Sequence, residues 1–416
     1  MSAILDPHHL VGTDLEVPVS GGGLRRYVNL DYAASTPAMA AAWEAVEAFV
    51  PWYSSVHRGT GAKSRISTDA YEHARHSIAR FAGAPDGSVV IVRNTTEAIN
   101  VLSAALRPGA RVLSTPVEHH ANMLPWRAHD VRVLPFPESP QQLLEDTRKA
   151  LQARRTDLLA VTGASNVTGE VWPLKELAAL AHEHGAELFV DAAQLAPHRA
   201  LDMAGARIDH LAFSGHKLYA PFGAGALVSR RPLSGDPLLR GGGAIKLVTL
   251  DDVIWADAPE RFEAGSPNVI GAVALGAACD ALDMRAVETA ERELAHRLHA
   301  RLATVPGLTT YELWPGHDDR VAVATFNLAG YGHQELAERL SEDHAIGVRN
   351  GCFCAHPLMT RLLAVPEPES IRLELELRAG RDPELPGAVR ASLGLGSTAE
   401  DVDALTAALS ALSRSR

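Results

Sequence analysis

The sequence predicts a two-part α/β chain: a large domain with a mostly parallel sheet between helices, then a smaller α+β C-terminal domain. Two observations predict it. From about residue 85 to 230, short β-branched runs alternate with amphipathic stretches. After about residue 270, an Ala-rich helical run gives way to shorter strands and a closing helix. Continuous apolar strands separated by helices need cover on both faces, which is the arrangement of parallel sheets.

In the first part the strand candidates are SVVIVR (88–93), ARVLSTP (110–116), VRVLPF (131–136), DLLAVTGA (157–164), ELFVDAA (187–193), HLAFSG (210–215) and GALVSR (225–230). Helical patterns at 95–106, 139–153 and 173–185 lie between them, the last ending on Gly185 as a C-cap. The Ala-rich run spans 271–305 and reads as one long helical segment. Strand candidates at 308–313, 322–329, 346–351 and 388–396 follow, and Thr398 with Asp401 forms a capping box for the closing helix. The chain therefore divides into an N-terminal segment (1–27), a large domain (28–270) and a small domain (271–416). A charged, Pro-flanked stretch at about 366–387 reads as a surface insertion.

Composition narrows the function classes. The net charge of -11, with no Lys/Arg-rich run, argues against a nucleic-acid partner. Three cysteines (Cys279, Cys352 and Cys354) are too few for a disulfide framework, and the single C-x-C pair has no companion pair to make a metal site. The start MSAILDPHHL lacks the charged and apolar regions of a signal peptide. No uncharged apolar stretch reaches the about 18 residues of a membrane span. A cytoplasmic location is expected.

In open parallel sheets, ligands bind beyond the carboxyl ends of the strands. Asp191 closes one strand candidate, and Ser214, His216 and Lys217 close another. Asn166 follows a third, and His119 and His120 a fourth. Thr95 and Thr96 open a helix after a strand, where free N–H groups and hydroxyls suit an anion. Singly these have ordinary readings: a surface lysine, a helix cap, an N-cap. Together they supply what pyridoxal phosphate (PLP) chemistry requires: an amine for the aldehyde, a carboxylate for the ring nitrogen, a phosphate cradle and a stacking ring.

These residues also carry a resemblance. NLDYAASTP (29–37), RNTTEAIN (93–100), EHHANMLPW (118–126), VDAAQLAPH (190–198), FSGHKLYAPFGAG (213–225), RFEAGSPN (261–268), VRNGCFCAHP (348–357) and VRASLGLGST (389–398) resemble the class V, fold-type I PLP enzymes. Within that class they are most similar to SUF-type cysteine desulfurases and selenocysteine lyases. The resemblance implies PLP fold type I, with a mixed, mostly parallel sheet in the large domain. It implies that Lys217 holds PLP as a Schiff base, Asp191 pairs with the ring nitrogen and Gln194 meets the ring oxygen. His119 would stack on the ring and shuttle protons, while Thr95, Thr96, Ser214 and His216 bind phosphate. Ser266 would reach the phosphate of a neighbouring subunit, which implies a homodimer with shared active sites. Asn166 and Arg390 would hold the substrate carboxylate, the arginine as a bidentate clamp, and His57, Arg58 and Arg349 would line the substrate pocket.

Cys354 stands at the nucleophile position, with Arg349 and His356 as groups that would favour its thiolate. The expected activity is removal of sulfur from cysteine, or selenium from selenocysteine, giving alanine and a persulfide for a sulfur-acceptor protein. The sequence departs from the SUF pattern in one place. Cys352 and Phe353 stand where two histidines are usual, and NGCFCA is closer to molybdenum-cofactor sulfurases. Cys352 is then a spectator or a relay thiol, and Cys279 a core residue. Rival readings are another class V activity, such as a carbon–sulfur lyase, an epimerase or a kynureninase-like hydrolase, and a catalytically quiet scaffold.

Overall fold

The computed structural model describes residues 9–415. Residues 1–8, part of the stretch read as no signal peptide, lie outside the described residues. All seven expected strands of the large domain form: β1 (Ser88–Val92), β2 (Arg111–Ser114), β3 (Asp130–Val133), β4 (Leu158–Thr162), β5 (Glu187–Asp191), β6 (His210–Ser214) and β7 (Gly225–Ser229). They make one sheet in the order β3-β2-β4-β5-β6-β7-β1. The pairs from β3 to β6 are parallel, and β7 is antiparallel to both β6 and β1. Two reversals restore direction, so β1 ends on the same rim as β4, β5 and β6. The strands stop short of the sequence runs at that rim because the chain turns there into the loops that hold the polar groups.

Strand alternation explains the layers. Side chains at successive positions point to opposite faces. Val89, Ile91, Leu159, Val161, Leu188, Val190, Leu211 and Phe213 accordingly share one core with helices Ala40–Phe49, Ala62–Phe81, Leu174–Glu183 and Val269–Ala281. Val90, Val92, Leu158, Ala160, Phe189, Ala212 and Leu227 face the other way, under helix Thr95–Ala105 and Trp126. Each fully buried Val, Leu, Ile or Phe among them stabilises the fold by about 1.5–3 kcal/mol. The runs inside the sheet are apolar because both faces are covered, while the edge strand β3 carries Asp130 and Arg132 and leaves Val133 exposed.

The Ala-rich run forms two helices, Val269–Ala281 and Met284–Leu302. Leu282 is extended, and the Asp283 carboxylate caps the second helix by accepting from the Arg285 and Ala286 amides. The first helix packs in the large-domain core, where Gly276 lies against Ala74 so closely that a Cβ would be 2.7 Å from its Cα. The division drawn from sequence between residues 270 and 271 thus falls inside this helix. The second helix contributes Leu298 and Leu302 to a separate core, which also takes Val28, Leu30, Phe326, Leu405 and Leu409.

That core lies on a four-stranded antiparallel sheet of β8 (Leu308–Tyr311), β9 (Val323–Leu328), β10 (Arg349–Gly351) and β11 (Ala388–Ser392), ordered β8-β9-β11-β10. The expected capping box of Thr398 and Asp401 starts helix Ala399–Arg414. The charged stretch at 366–387 contains a helix, Glu367–Arg378, stitched by Arg372 to Glu369 and Glu376 and by Arg378 to Glu374. It leaves Ile371, Leu375 and Leu377 exposed. Among the described residues, no helix is long and apolar enough to cross a membrane.

Candidate active site

A cavity of about 540 Å³ opens at the common rim of β1, β4, β5 and β6 and is closed from the other side by the segment 349–354 and by Arg390. The sheet register aligns its groups. Thr162 stands opposite Asp191, Asp191 opposite Ala212, and Ser214 opposite Gly225, which in turn faces Val92. Lys217 follows within a single helical turn after β6, at Gly215–Lys217. Its place relative to Asp191 is therefore fixed by backbone pairing.

On the β1 side, Asn94 caps helix Thr95–Ala105 by accepting from the Glu97 amide. The Thr95 amide donates to Ser214 Oγ at 2.8 Å, and the two hydroxyls lie 2.7 Å apart. Gly225 is required here, since a Cβ would sit 2.8 Å from the Asn94 Cα. A helix start and hydroxyl groups therefore converge at one end of the cavity, with Thr96 and His216 beside them. This is the form of an anion cradle.

Charge is unevenly placed. Burial, joined by the Arg390 charge, brings the Lys217 pKa down to about 8 against the opposing pull of the Asp191, Cys354 and Asp31 side chains. Burial raises the Asp191 carboxyl, which accepts from the Ala193 amide at 3.0 Å and is only 5% exposed. His119 is pushed down to about 4, first by burial and then by Lys217, His120 and Arg390. Its Nδ1 accepts from the Ala121 amide at 3.0 Å, which fixes the ring neutral with its proton on Nε2. Gln194 donates to the Ala33 carbonyl at 2.7 Å, and its Oε1 is buried without a partner.

Arg390 lies on β11 and is 3% exposed. Burial lowers its pKa to about 10, with the Asp31 carboxylate opposing. One terminal nitrogen donates to the Asn166 carbonyl at 2.9 Å and the other to Asp31 at 3.3 Å, leaving Nε buried without a partner. The same carboxylate meets Arg349 at 3.3 Å. The fork expected to be free for a substrate carboxylate is thus already engaged at both tips, and Asp31 is the residue that the sequence reading missed. Its motif, NLDYAAS, was visible, but the 359-residue separation from Arg390 was not.

Cys354 is exposed and sits on a strained turn. Phe353 and Cys354 both take left-handed backbone, with φ of 53° and 55°. Such residues cost of order 1–3 kcal/mol each and persist only when the surroundings enforce them. Here Asn166 donates to the Phe353 carbonyl at 2.8 Å, and the Arg390 guanidinium lies 5.1 Å from the centre of the Phe353 ring. The His120 amide donates to the Cys354 carbonyl at 2.8 Å. Cys352 lines the cavity, half-buried, whereas Cys279 is buried in the large core.

Three sequence-picked residues are not brought to this cavity by the protomer. His57, Arg58 and Ser266 line a different cleft, of about 200 Å³. His57 is left-handed at φ 66° and pairs with Glu72 at 2.8 Å. A second residue missed from sequence is Glu118, which is wholly buried. It accepts from Thr115, Asn122 and the Thr162 amide, and burial raises it to about 8. It ties the loop before His119 to the end of β4.

Comparison with known proteins adds independent findings. Residues 28–405 match the family model described as aminotransferase class-V. The chain is 35% identical over 413 residues to a probable cysteine desulfurase of Halalkalibacterium halodurans, covering 95% of this chain and 94% of that protein. It is 35% identical to a cysteine desulfurase of Escherichia coli, covering 87% of each. The apo structure of a cysteine desulfurase from Thermococcus onnurineus superposes with a TM-score of 0.80 at 29% identity, covering 94% of this chain and 95% of that one.

Proposed function

The chain belongs to the aminotransferase class-V family, and on that premise we propose that it is a PLP-dependent cysteine desulfurase, moving sulfur from L-cysteine to Cys354 and releasing alanine. The observation that carries this reading is a single cavity lined by Lys217, Asp191 and an accessible Cys354. The residues present fit the cofactor. Arg390 Nε is a buried donor with no partner among the described residues, and Gln194 keeps a second amide hydrogen beyond the one given to the Ala33 carbonyl; both residues line the cavity, and buried donors of that kind call for an acceptor. Thr95, Thr96, Ser214 and His216 would hold the phosphate, Asp191 the ring nitrogen, Gln194 the ring oxygen, and His119 would cover the ring face.

When bound, PLP supplies an electron sink that lets the substrate Cα–H bond break. Lys217 as a free amine, with its pKa lowered to about 8, is a competent base for that proton near neutrality. Asn166, Arg390 and Arg349 orient the substrate carboxylate, with Asp31 yielding part of its hold on the arginines. The Cys354 thiolate attacks the substrate sulfur. One S–S bond forms and the Cβ–S bond breaks. The released electron pair and a proton finish on Cβ, so cysteine and a thiol become alanine and a persulfide. His57, Arg58 and Ser266 would complete the cavity of a second copy in a homodimer, and the persulfide would pass to a sulfur-acceptor protein.

The test is product analysis of the PLP-reconstituted protein with L-cysteine. The expected result is alanine and protein-bound sulfur in equal amounts. Pyruvate with free sulfide, or a racemised substrate, would instead place the chain among the carbon–sulfur lyases or epimerases of the class.

A further inference from the structure

His119 lines the cavity, whereas its neighbour His120 lies outside the lining and packs against the turn that carries Cys354. Its backbone N–H donates to the Cys354 carbonyl at 2.8 Å. Its ring reaches past that bond to the next helix: the His356 amide approaches His120 Nε2 at 3.2 Å, and His356 Nδ1 approaches the same atom at 3.1 Å. The two rings are stacked, with centroids 4.9 Å apart and planes 14° from parallel.

This geometry fixes a protonation state. A backbone amide can only donate, so Nε2 must present its lone pair, and the ring must be neutral with its proton on Nδ1. A charged ring would point an N–H at another N–H. The titratable and charged groups facing it are His119, His356 and Arg127, and burial together with the last two lowers its pKa.

We propose that His120 is a positioning residue for the nucleophile: through its amide and its neutral ring it grips the Cys354 turn at two points and holds it in the left-handed conformation aimed at the cavity. The proposal rests on the desulfurase reading and assigns to that site a residue outside the cavity lining. Asn166 steadies the turn from inside, at the Phe353 carbonyl. His120 steadies it from outside, so the thiol is held from both flanks. A relaxed turn would leave the cofactor half of the site intact and misplace only the sulfur.

The experiment compares wild type, His120→Leu and His120→Gln as PLP-reconstituted proteins. Gln places an acceptor near the Nε2 position and cannot be charged; Leu removes it. With His120→Leu, persulfide formation should slow by roughly ten- to a hundredfold, the scale of a misplaced reacting group, with KM for cysteine and the cofactor absorbance unchanged. His120→Gln should recover most of the rate, and because the His120 pKa is lowered from 6.5, its ratio to wild type should stay flat at that pH and rise only on further acidification. A His120→Leu rate equal to wild type, or a Gln variant as slow as the Leu variant, overturns the proposal. Amide hydrogen exchange across residues 352–356 decides the same point without turnover: faster in His120→Leu and near wild type in His120→Gln supports the grip, and no difference overturns it. If wild type makes no alanine or persulfide, the desulfurase reading fails, and hydrogen exchange still decides whether His120 grips the turn.

Discussion

Asp191, Ser214 and Lys217 stand at the ends of adjoining strands whose registers are locked by backbone pairing. Cys354, on the opposite wall, stands on a left-handed turn held by a few bonds from Asn166, Arg390 and His120. The difference is one of redundancy. A sheet end places a side chain through many hydrogen bonds, so no single neighbour matters greatly. A strained turn depends on each of its partners. The half-buried Lys217 amine is the group placed by sheet register, and the exposed Cys354 thiol is the group placed by the turn.

Substitutions can break this comparison in order of expected effect. Lys217→Ala should lower alanine production by roughly 100- to 10,000-fold, the range of a lost general base, with the fold retained by circular dichroism. Arg390→Lys keeps the charge but loses the fork that joins Asn166, Asp31 and Phe353. It should cost about 1.5–3 kcal/mol of substrate binding, read as a raised KM. An unchanged KM would show that the arginine serves the turn and not the carboxylate.

The pH dependence sharpens the same contrast. In the cofactor-free protein the Lys217 amine should titrate at about 8 instead of the ordinary 10.5, so its reductive methylation should accelerate as pH rises through 8. Acceleration only near 10.5 would mean a solvated amine. Between these values the unfolded chain binds the proton that the folded chain has lost, so this group makes stability rise with pH across that window. At the small end, Leu375→Ser on the exposed face of the 367–378 helix should change stability by no more than about 0.5 kcal/mol and leave turnover as it was.

What the sequence revealed follows from what is local. Six of the seven sheet strands were visible as near-continuous apolar runs, the edge strand Asp130–Val133 being only partly covered, and the cavity groups because they sit at or just beyond strand ends. The break at Leu282–Asp283 was not, since an Asp within an Ala-rich run reads equally as an exposed helical residue and as a cap. The helix at 367–378 was hidden by its charge, which marks a surface without naming its shape. Asp31 and Glu118 escaped because the contacts that tie them to the cavity are with residues distant in the chain, Arg390 and Thr162. His57, Arg58 and Ser266 were grouped with the cavity from resemblance, and the protomer alone holds them in another cleft.

In the proposed reaction one cavity joins a cofactor amine to a sulfur-accepting thiol. Its most direct measurement is mass analysis of the peptide carrying Cys354 after a single turnover with L-cysteine, in wild type and in Cys354→Ser. The wild-type peptide should gain one sulfur atom and the Ser variant none, with the same cofactor absorbance in both. Alanine and bound sulfur appearing undiminished in Cys354→Ser would contradict it.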